Sequence, residues 1–147
     1  MKLDSPSHAG GFIVRQLKTD CPEVLLIKKD KNQSKYFLPG GRLENNESEI
    51  EGAVREIAEE TGLTAVDFLA DLGLVTRRGI DDRKRPYQKT IRYFLFNYQE
   101  TGPDGWISAG DPDKCFFCSW QPLSSFPDLT QFREEAHLSA AAQKILG

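Results

Sequence analysis

The sequence predicts an α/β domain in which one sheet is covered on both faces by helices. Three observations carry this. Gln88 to Tyr98 alternates, with Lys89, Ile91, Tyr93 and Leu95 on one face and Thr90, Arg92, Phe94 and Phe96 on the other, the period-two pattern of a strand. Ile50, Ala53, Val54 and Ile57 recur at i, i+3, i+4 and i+7, the stripe of an amphipathic helix. Thr130 to Leu146 reads as a closing helix that buries Phe132, Ala136, Ala140 and Ile145. A chain of 147 residues fits one domain over residues 1–147, built around one core.

Taken in order, residues 1–9 are polar and expected to fray. Gly10 to Leu17 reads as a first strand, and Cys21-Pro22 as a turn. Val24 to Lys28 is a short apolar run suited to a central strand. After a polar loop from Lys29 to Lys35, Tyr36-Phe37-Leu38 re-enters the core and Pro39-Gly40-Gly41 breaks the chain sharply. The amphipathic helix follows. Asn46 stands where an N-cap belongs, with Glu49 three residues on, and Gly62 supplies the left-handed stop. Ala65 to Val75 reads as a strand bent at Gly73, and Arg77 to Arg85 as a basic loop. Thr101 to Gly110 is turn-rich and contains Trp106; Cys115 to Trp120 is the last strand, and Ser124 to Pro127 a break.

Composition narrows the function. The net charge of −3 argues against non-specific nucleic-acid binding. No apolar run is long enough to span a membrane, and Met1 to Pro6 lacks the apolar core of a signal peptide. Cys21, Cys115 and Cys118 make an odd count; Cys115 and Cys118 have C-x-x-C spacing, but no second pair accompanies them. They read as reduced cysteines, so a cytoplasmic location is expected.

The far face of the amphipathic helix carries Glu56, Glu59 and Glu60 at i, i+3 and i+4, in its last turn. Like charges at that spacing repel, and the helix dipole disfavours anions there. Two readings are open: a solvated acidic face, or a site for a hard divalent cation. The surrounding residues bear on the choice. Gly41, Glu47, Arg55-Glu56-Ile57, Glu59-Glu60 and Gly62-Leu63 match the pattern Gly-x5-Glu-x7-Arg-Glu-U-x-Glu-Glu-x-Gly-U, with U bulky and aliphatic, at every specified position. At average residue usage a full match arises on the order of once in a billion windows. The pattern is the Nudix box, residues 41–63, and the chain resembles a Nudix hydrolase.

That resemblance implies a mixed sheet sandwiched between helices in an α/β/α arrangement. It also implies metal-dependent hydrolysis of a nucleoside diphosphate linked to another group. Glu56, Glu59 and Glu60 would ligate Mg²⁺ or Mn²⁺ with the Gly41 carbonyl, Glu47 would support that face, and Arg55 would orient a glutamate. The general base stays open between Glu59 and an acid before the last strand, where Asp111 and Asp113 stand. Lys89-Thr90 and the aromatic strand after it are similar to members that hydrolyse dinucleoside polyphosphates. Lys89, Arg92, Arg78 and Arg85 are therefore phosphate candidates, and Tyr36 a base-stacking candidate. The expected partner is a small nucleotide, a mono- or dinucleoside polyphosphate, with no membrane and no nucleic acid beyond an RNA 5′ end. Two departures bear on substrate: Pro39 and Gly40 stand before the box glycine where the dinucleoside-polyphosphate branch usually has a lysine, and no proline is clearly placed as in ADP-sugar hydrolases. ADP-ribose, oxidised nucleotides, diphosphoinositol polyphosphates and RNA 5′ ends remain alternatives, as does a module that senses a nucleotide without cleaving it.

Overall fold

A computed structural model describes residues 6–15, 20–99, 105–108 and 115–147. Strands β1 (His8–Arg15), β2 (Glu23–Lys28), β3 (Gly40–Arg42), β4 (Val66–Ile80), β5 (Pro86–Tyr98), β6 (Gly105–Ile107) and β7 (Phe117–Pro122) form one sheet, ordered β4-β5-β1-β2-β7-β6. It is mixed: β1 runs parallel to β5, while its other edge is divided between antiparallel β3 at His8–Gly10 and antiparallel β2 at Val14–Arg15. That division brings Gly40–Arg42 beside the central strand.

Alternation along the strands sends side chains into two cores. Phe12, Val14, Leu26, Ile91 and Leu95 pack under helices α2 (Phe126–Leu129) and α3 (Leu138–Leu146), where Phe126, Leu138 and Ala142 are fully buried. Ile13, Leu25, Ile27, Phe94 and Phe96 pack under α1 (Glu49–Thr61) through Ala53 and Ile57. The helix–sheet–helix sandwich expected from the sequence is the observed fold. The α1 stripe, however, is rotated. Ile50 is 40% exposed and Val54 half-buried, while Glu56 and Glu60 are buried, because β3 lies against that side of the helix.

The remaining differences have local causes. Ser48, not Asn46, caps α1: its hydroxyl accepts from the Glu51 amide while Glu51 accepts from the Ser48 amide. Asn46 instead adopts φ 64 in the preceding turn. Gly62 ends the helix at φ 82, as its position predicted. His8 and Ala9 are strand, not frayed end, since Ser7 also bonds to Thr90 and Leu43. β4 continues through Arg77 to Ile80, and the predicted basic loop shrinks to a turn in which the Asp81 carboxylate accepts from the Arg83 and Arg85 amides. Two register shifts, at Phe68/Ala70 and Asp71/Gly73, bend β4 where Gly73 predicted a bend.

Trp106 lies in short β6 and donates from Nε1 to the Thr61 carbonyl at the end of α1. The predicted break at Ser124 to Pro127 is instead a 3₁₀ turn, Leu123–Ser125, running into α2. The closing helix is shorter than predicted, because Gln131 donates to the Tyr36 carbonyl and Tyr36 to that of Leu129, holding Thr130 extended. Consequently Leu138 and Ala142 are buried, whereas Ala140 and Ile145 are exposed.

Replacing Ser48 by Ala removes the cap and is expected to cost about 1 kcal/mol of stability in urea unfolding. Asn46→Gly, at a position already left-handed, should cost nothing measurable by the same method.

Candidate active site

The turn from β3 into α1 is held by one guanidinium. Arg55 grips Glu47 with two parallel bonds, Nε to Oε2 at 2.6 Å and Nη2 to Oε1 at 3.0 Å. Nη1 donates to Glu56 Oε1 at 2.9 Å and reaches Glu59 Oε2 at 3.3 Å, and Nη2 donates to the Arg42 carbonyl at 3.0 Å. Glu44 stands 3.6 Å from Nη1. Such bidentate, charge-assisted bonding needs arginine's planar fork; a lysine would not reproduce it. Hydrogen bonds from Arg55 hold the Glu47 carboxyl down at about 2, and Glu47 foremost raises Arg55 further above its usual range.

Glycine 41 is required by the same cluster. A Cβ there would lie 2.4 Å from the Glu56 carboxyl carbon, so only a residue without a side chain lets that carboxylate pack against β3. Glu60 is buried as well and accepts the Gly40 amide at 2.7 Å. Glu59, 38% exposed, is the most accessible of the three. At Gly41 the missing side chain thus makes room for the protein's own glutamate.

On the other face of the sheet, Gly40 and Gly41 also wall a cavity of about 180 Å³ lined by His8, Arg42, Arg77 and Lys89, with Ile91 and Tyr93. Burial and the neighbouring cations Lys89, Arg42 and Arg77 push His8 down to about 4, so its imidazole is neutral at pH 7. Burial, then Arg77, Arg42 and Lys29, lowers Lys89 as well. Like charges are concentrated here without a carboxylate among the described residues paired to Lys89. Such a cavity stabilises an anion.

The family model of the NUDIX domain matches residues 6–142. The chain belongs to the Nudix hydrolase family. A Bacillus subtilis protein provisionally named 8-oxo-dGTP diphosphatase is 33% identical over 103 residues, covering 69% of this chain and 66% of its own. A Mycobacterium tuberculosis protein provisionally named mutator protein MutT4 is 25% identical over 99% of this chain and 58% of its own. The chain thus spans between 58% and 66% of the length of these two relatives. In fold it is similar to a Caenorhabditis elegans Ap4A hydrolase, with TM-score 0.67 at 22% identity over 97% of this chain and 98% of that one. It is also similar to the Escherichia coli dihydroneopterin triphosphate pyrophosphohydrolase, with TM-score 0.71 at 15% identity over 97% of both chains.

In this Nudix domain the box residues named from the sequence stand together: Gly41, Glu47, Arg55, Glu56 and Glu59 share one cluster, with Glu60 behind it. Among the described residues no three acidic, His or Cys side chains form a ready-made metal cage. Their chemistry nevertheless fits a hard divalent ion. Glu44, Glu47, Glu56 and Glu59 set four carboxylates around one guanidinium, and Mg²⁺ typically takes one or two carboxylates and fills its shell with waters and phosphate oxygens.

The substrate candidates separate. Lys89 lines the cavity. Arg92 points to the opposite face, where it pairs with Glu49 at 3.1 Å and Asp71 at 2.9 Å and ties α1 to the sheet. Arg78 bonds Gln88 on the hairpin, and Arg85 pairs with Asp81 in its turn. Tyr36 lies under the Lys28 ammonium, 4.3 Å from its ring centre, and bridges to Thr130. Asp111 and Asp113 lie outside the described residues. The residues missed were His8 and Arg42, together with Arg77's place opposite Lys89 in the β4–β5 register. Arg77 was detectable, since extending the hairpin to Asp81-Asp82 pairs it with Lys89; His8, in a segment read as frayed, gave no signal. The C-x-x-C cysteines are free, Cys115 exposed and Cys118 buried, with burial foremost pushing the Cys118 thiol up to about 12. No helix of the described residues is long and apolar enough to cross a membrane.

The lowered Glu47 gives a pH dependence with a definite sign. Its pairing with Arg55 stabilises the fold fully above the ordinary carboxyl value of 4.5, and this is lost as pH falls towards about 2. Glu47→Gln is therefore expected to be less stable than wild type at pH 7, with the gap closing over that acid window when unfolding is followed by circular dichroism.

Proposed function

We propose that this Nudix domain hydrolyses a phosphoanhydride bond in a nucleoside diphosphate derivative, a mono- or dinucleoside polyphosphate, with Mg²⁺ or Mn²⁺ as cofactor. One observation carries the reading: a cationic cavity and an acidic helix face share the wall Gly40–Arg42. A polyphosphate bound to a divalent ion matches both halves, since its oxygens suit the cations while its metal suits the carboxylates. Neither an uncharged ligand nor a free anion would use both.

A bound divalent ion would shield the phosphate oxygens and lower the pKa of a water it holds. Glu56 and Glu59, with the Gly41 carbonyl, are the residues proposed to hold it, and Glu60 the residue that braces the glycine loop from behind. Arg55 keeps Glu56 and Glu59 apart from one another's full repulsion and fixes their carboxylates. Glu59, being the most exposed, is also the best-placed of the three to accept a proton from an attacking water. Lys89, Arg77 and Arg42 orient the phosphates and balance their charge, with His8 offering a neutral ring nitrogen beside them. The relative named for 8-oxo-dGTP and the fold neighbour named for Ap4A support the class, and the retained box glutamates support cleavage over sensing.

Phosphate release from a nucleotide panel with and without Mg²⁺ tests this. Release should require the metal, and Glu59→Gln should lower kcat by at least about a hundredfold, the loss expected for one metal ligand or base. Metal-independent binding of a nucleotide with no turnover would instead identify a sensing module, and ADP-ribose as best substrate would move the substrate class. Lys89→Met keeps the stem and removes the charge, so kcat/KM should fall about tenfold, and more as phosphates are added. Mg²⁺ without substrate should raise the melting temperature by relieving repulsion around Arg55; no shift across a titration would mean that the site forms only with substrate phosphates in place.

A further inference from the structure

Behind the cavity lies a carboxylate that the proposed chemistry does not use. Glu135, at the end of the 3₁₀ turn Arg133–Glu135, is 0% exposed. Its Oε2 accepts the Tyr93 hydroxyl and lies 3.8 Å from Arg77 Nε. Its Oε1 has no hydrogen-bond partner, nor has Arg77 Nε. Arg77 is held a second time by Phe132, whose ring centre lies 3.9 Å from the guanidinium carbon. Tyr93 and Arg77 both line the cavity. A single turn thus supplies a charge at one edge of Arg77 and an aromatic face beneath it.

This arrangement is poor as a stabilising device. An incompletely bonded carboxylate in a core costs several kcal/mol of desolvation, and apolar replacement of a buried ion pair is often neutral or stabilising. Burial accordingly drives the Glu135 carboxyl above its usual range, against the pull of Tyr93 and Arg77. What Glu135 supplies is direction. Arg77 sits beside Arg42 and Lys89, and without a counter-charge on its inner side those two like charges would drive it out towards solvent. Held by Glu135 and Phe132, it stays in the wall opposite Gly40.

We infer that Glu135 is a positioning residue for phosphate binding: acting through Arg77, it fixes the guanidinium at the cavity that meets the anionic part of the substrate. This rests on reading the cavity as the phosphate site, and the experiment separates the two. The probe is inorganic triphosphate, bound without metal and followed by calorimetry on wild type, Lys89→Met, Arg77→Met, Glu135→Gln and the Arg77→Met/Glu135→Gln pair. Gln keeps an acceptor for Tyr93, removes the charge and puts an NH2 in place of the unpartnered oxygen. Glu135→Gln should weaken binding about tenfold, as expected of one charge-assisted contact. Its melting temperature should be unchanged or raised, and the double variant should bind no more weakly than Arg77→Met alone. On the best nucleotide substrate, KM should rise while kcat holds. Wild-type affinity in Glu135→Gln, or losses that multiply in the double variant, would overturn the inference. Should Glu135→Gln not fold, Glu135→Asp, which keeps the charge but draws it back, is expected to weaken binding by a smaller factor, and unaltered binding would again refute the role. Triphosphate that binds wild type and Lys89→Met equally would overturn the cavity reading itself.

Discussion

Arg55 is the cation on which the box depends. It bonds the carboxylates of Glu47, Glu56 and Glu59 and the carbonyl of Arg42, so one side chain joins the loop before α1, the body of α1 and β3. Without it, several carboxylates would face one another across a few ångströms, and Glu59, in the last turn of α1, would also meet an unfavourable helix dipole. With it, they are partly neutralised and still collectively negative.

The placement of that cluster follows from β1. Because β3 and β2 share one edge of this strand, Gly40–Arg42 lies within the sheet, with one side towards α1 and the other towards the cavity. Its glycines admit Glu56 on the helix side and wall the cationic cavity on the other. The anionic cluster and the cationic cavity are therefore not two features that happen to be near. They are the two sides of one three-residue strand, and any shift of β3 moves both.

What the sequence made legible follows the range of the interactions. The box could be read whole because its partners lie within a few turns: Arg55 to Glu56 and Glu59 are neighbours on one helix, and Gly62 stops that helix by its own backbone preference. The alternation of Lys89, Ile91 and Tyr93 placed β5 and its faces correctly, and the helix–sheet–helix sandwich followed. The cavity was legible through Lys89 and, with the hairpin extended, Arg77, whereas His8 and Arg42 reach it through the β1–β3 register, which a local pattern does not encode. Arg92 shows the same limit in reverse. It is a cation like Lys89 and lies three residues away, but the pleat sends it to the other face, where Glu49 and Asp71 hold it. The closing helix was overextended because its pattern is helical from Thr130 onward, while the bonds between Tyr36 and Gln131 that keep the start extended come from a distant segment.

One consequence concerns the open side of β4. This strand is fifteen residues long, stands at the end of the sheet, and leaves Phe68, Leu69, Leu74 and Ile80 substantially exposed. A straight strand of that length and composition would be an invitation to aggregation. The two register shifts, at Phe68/Ala70 and Asp71/Gly73, interrupt the regular spacing of its outward amides and carbonyls. A second chain could stay in step only along Gly73–Ile80, so the bend roughly halves the edge that is open to strand addition.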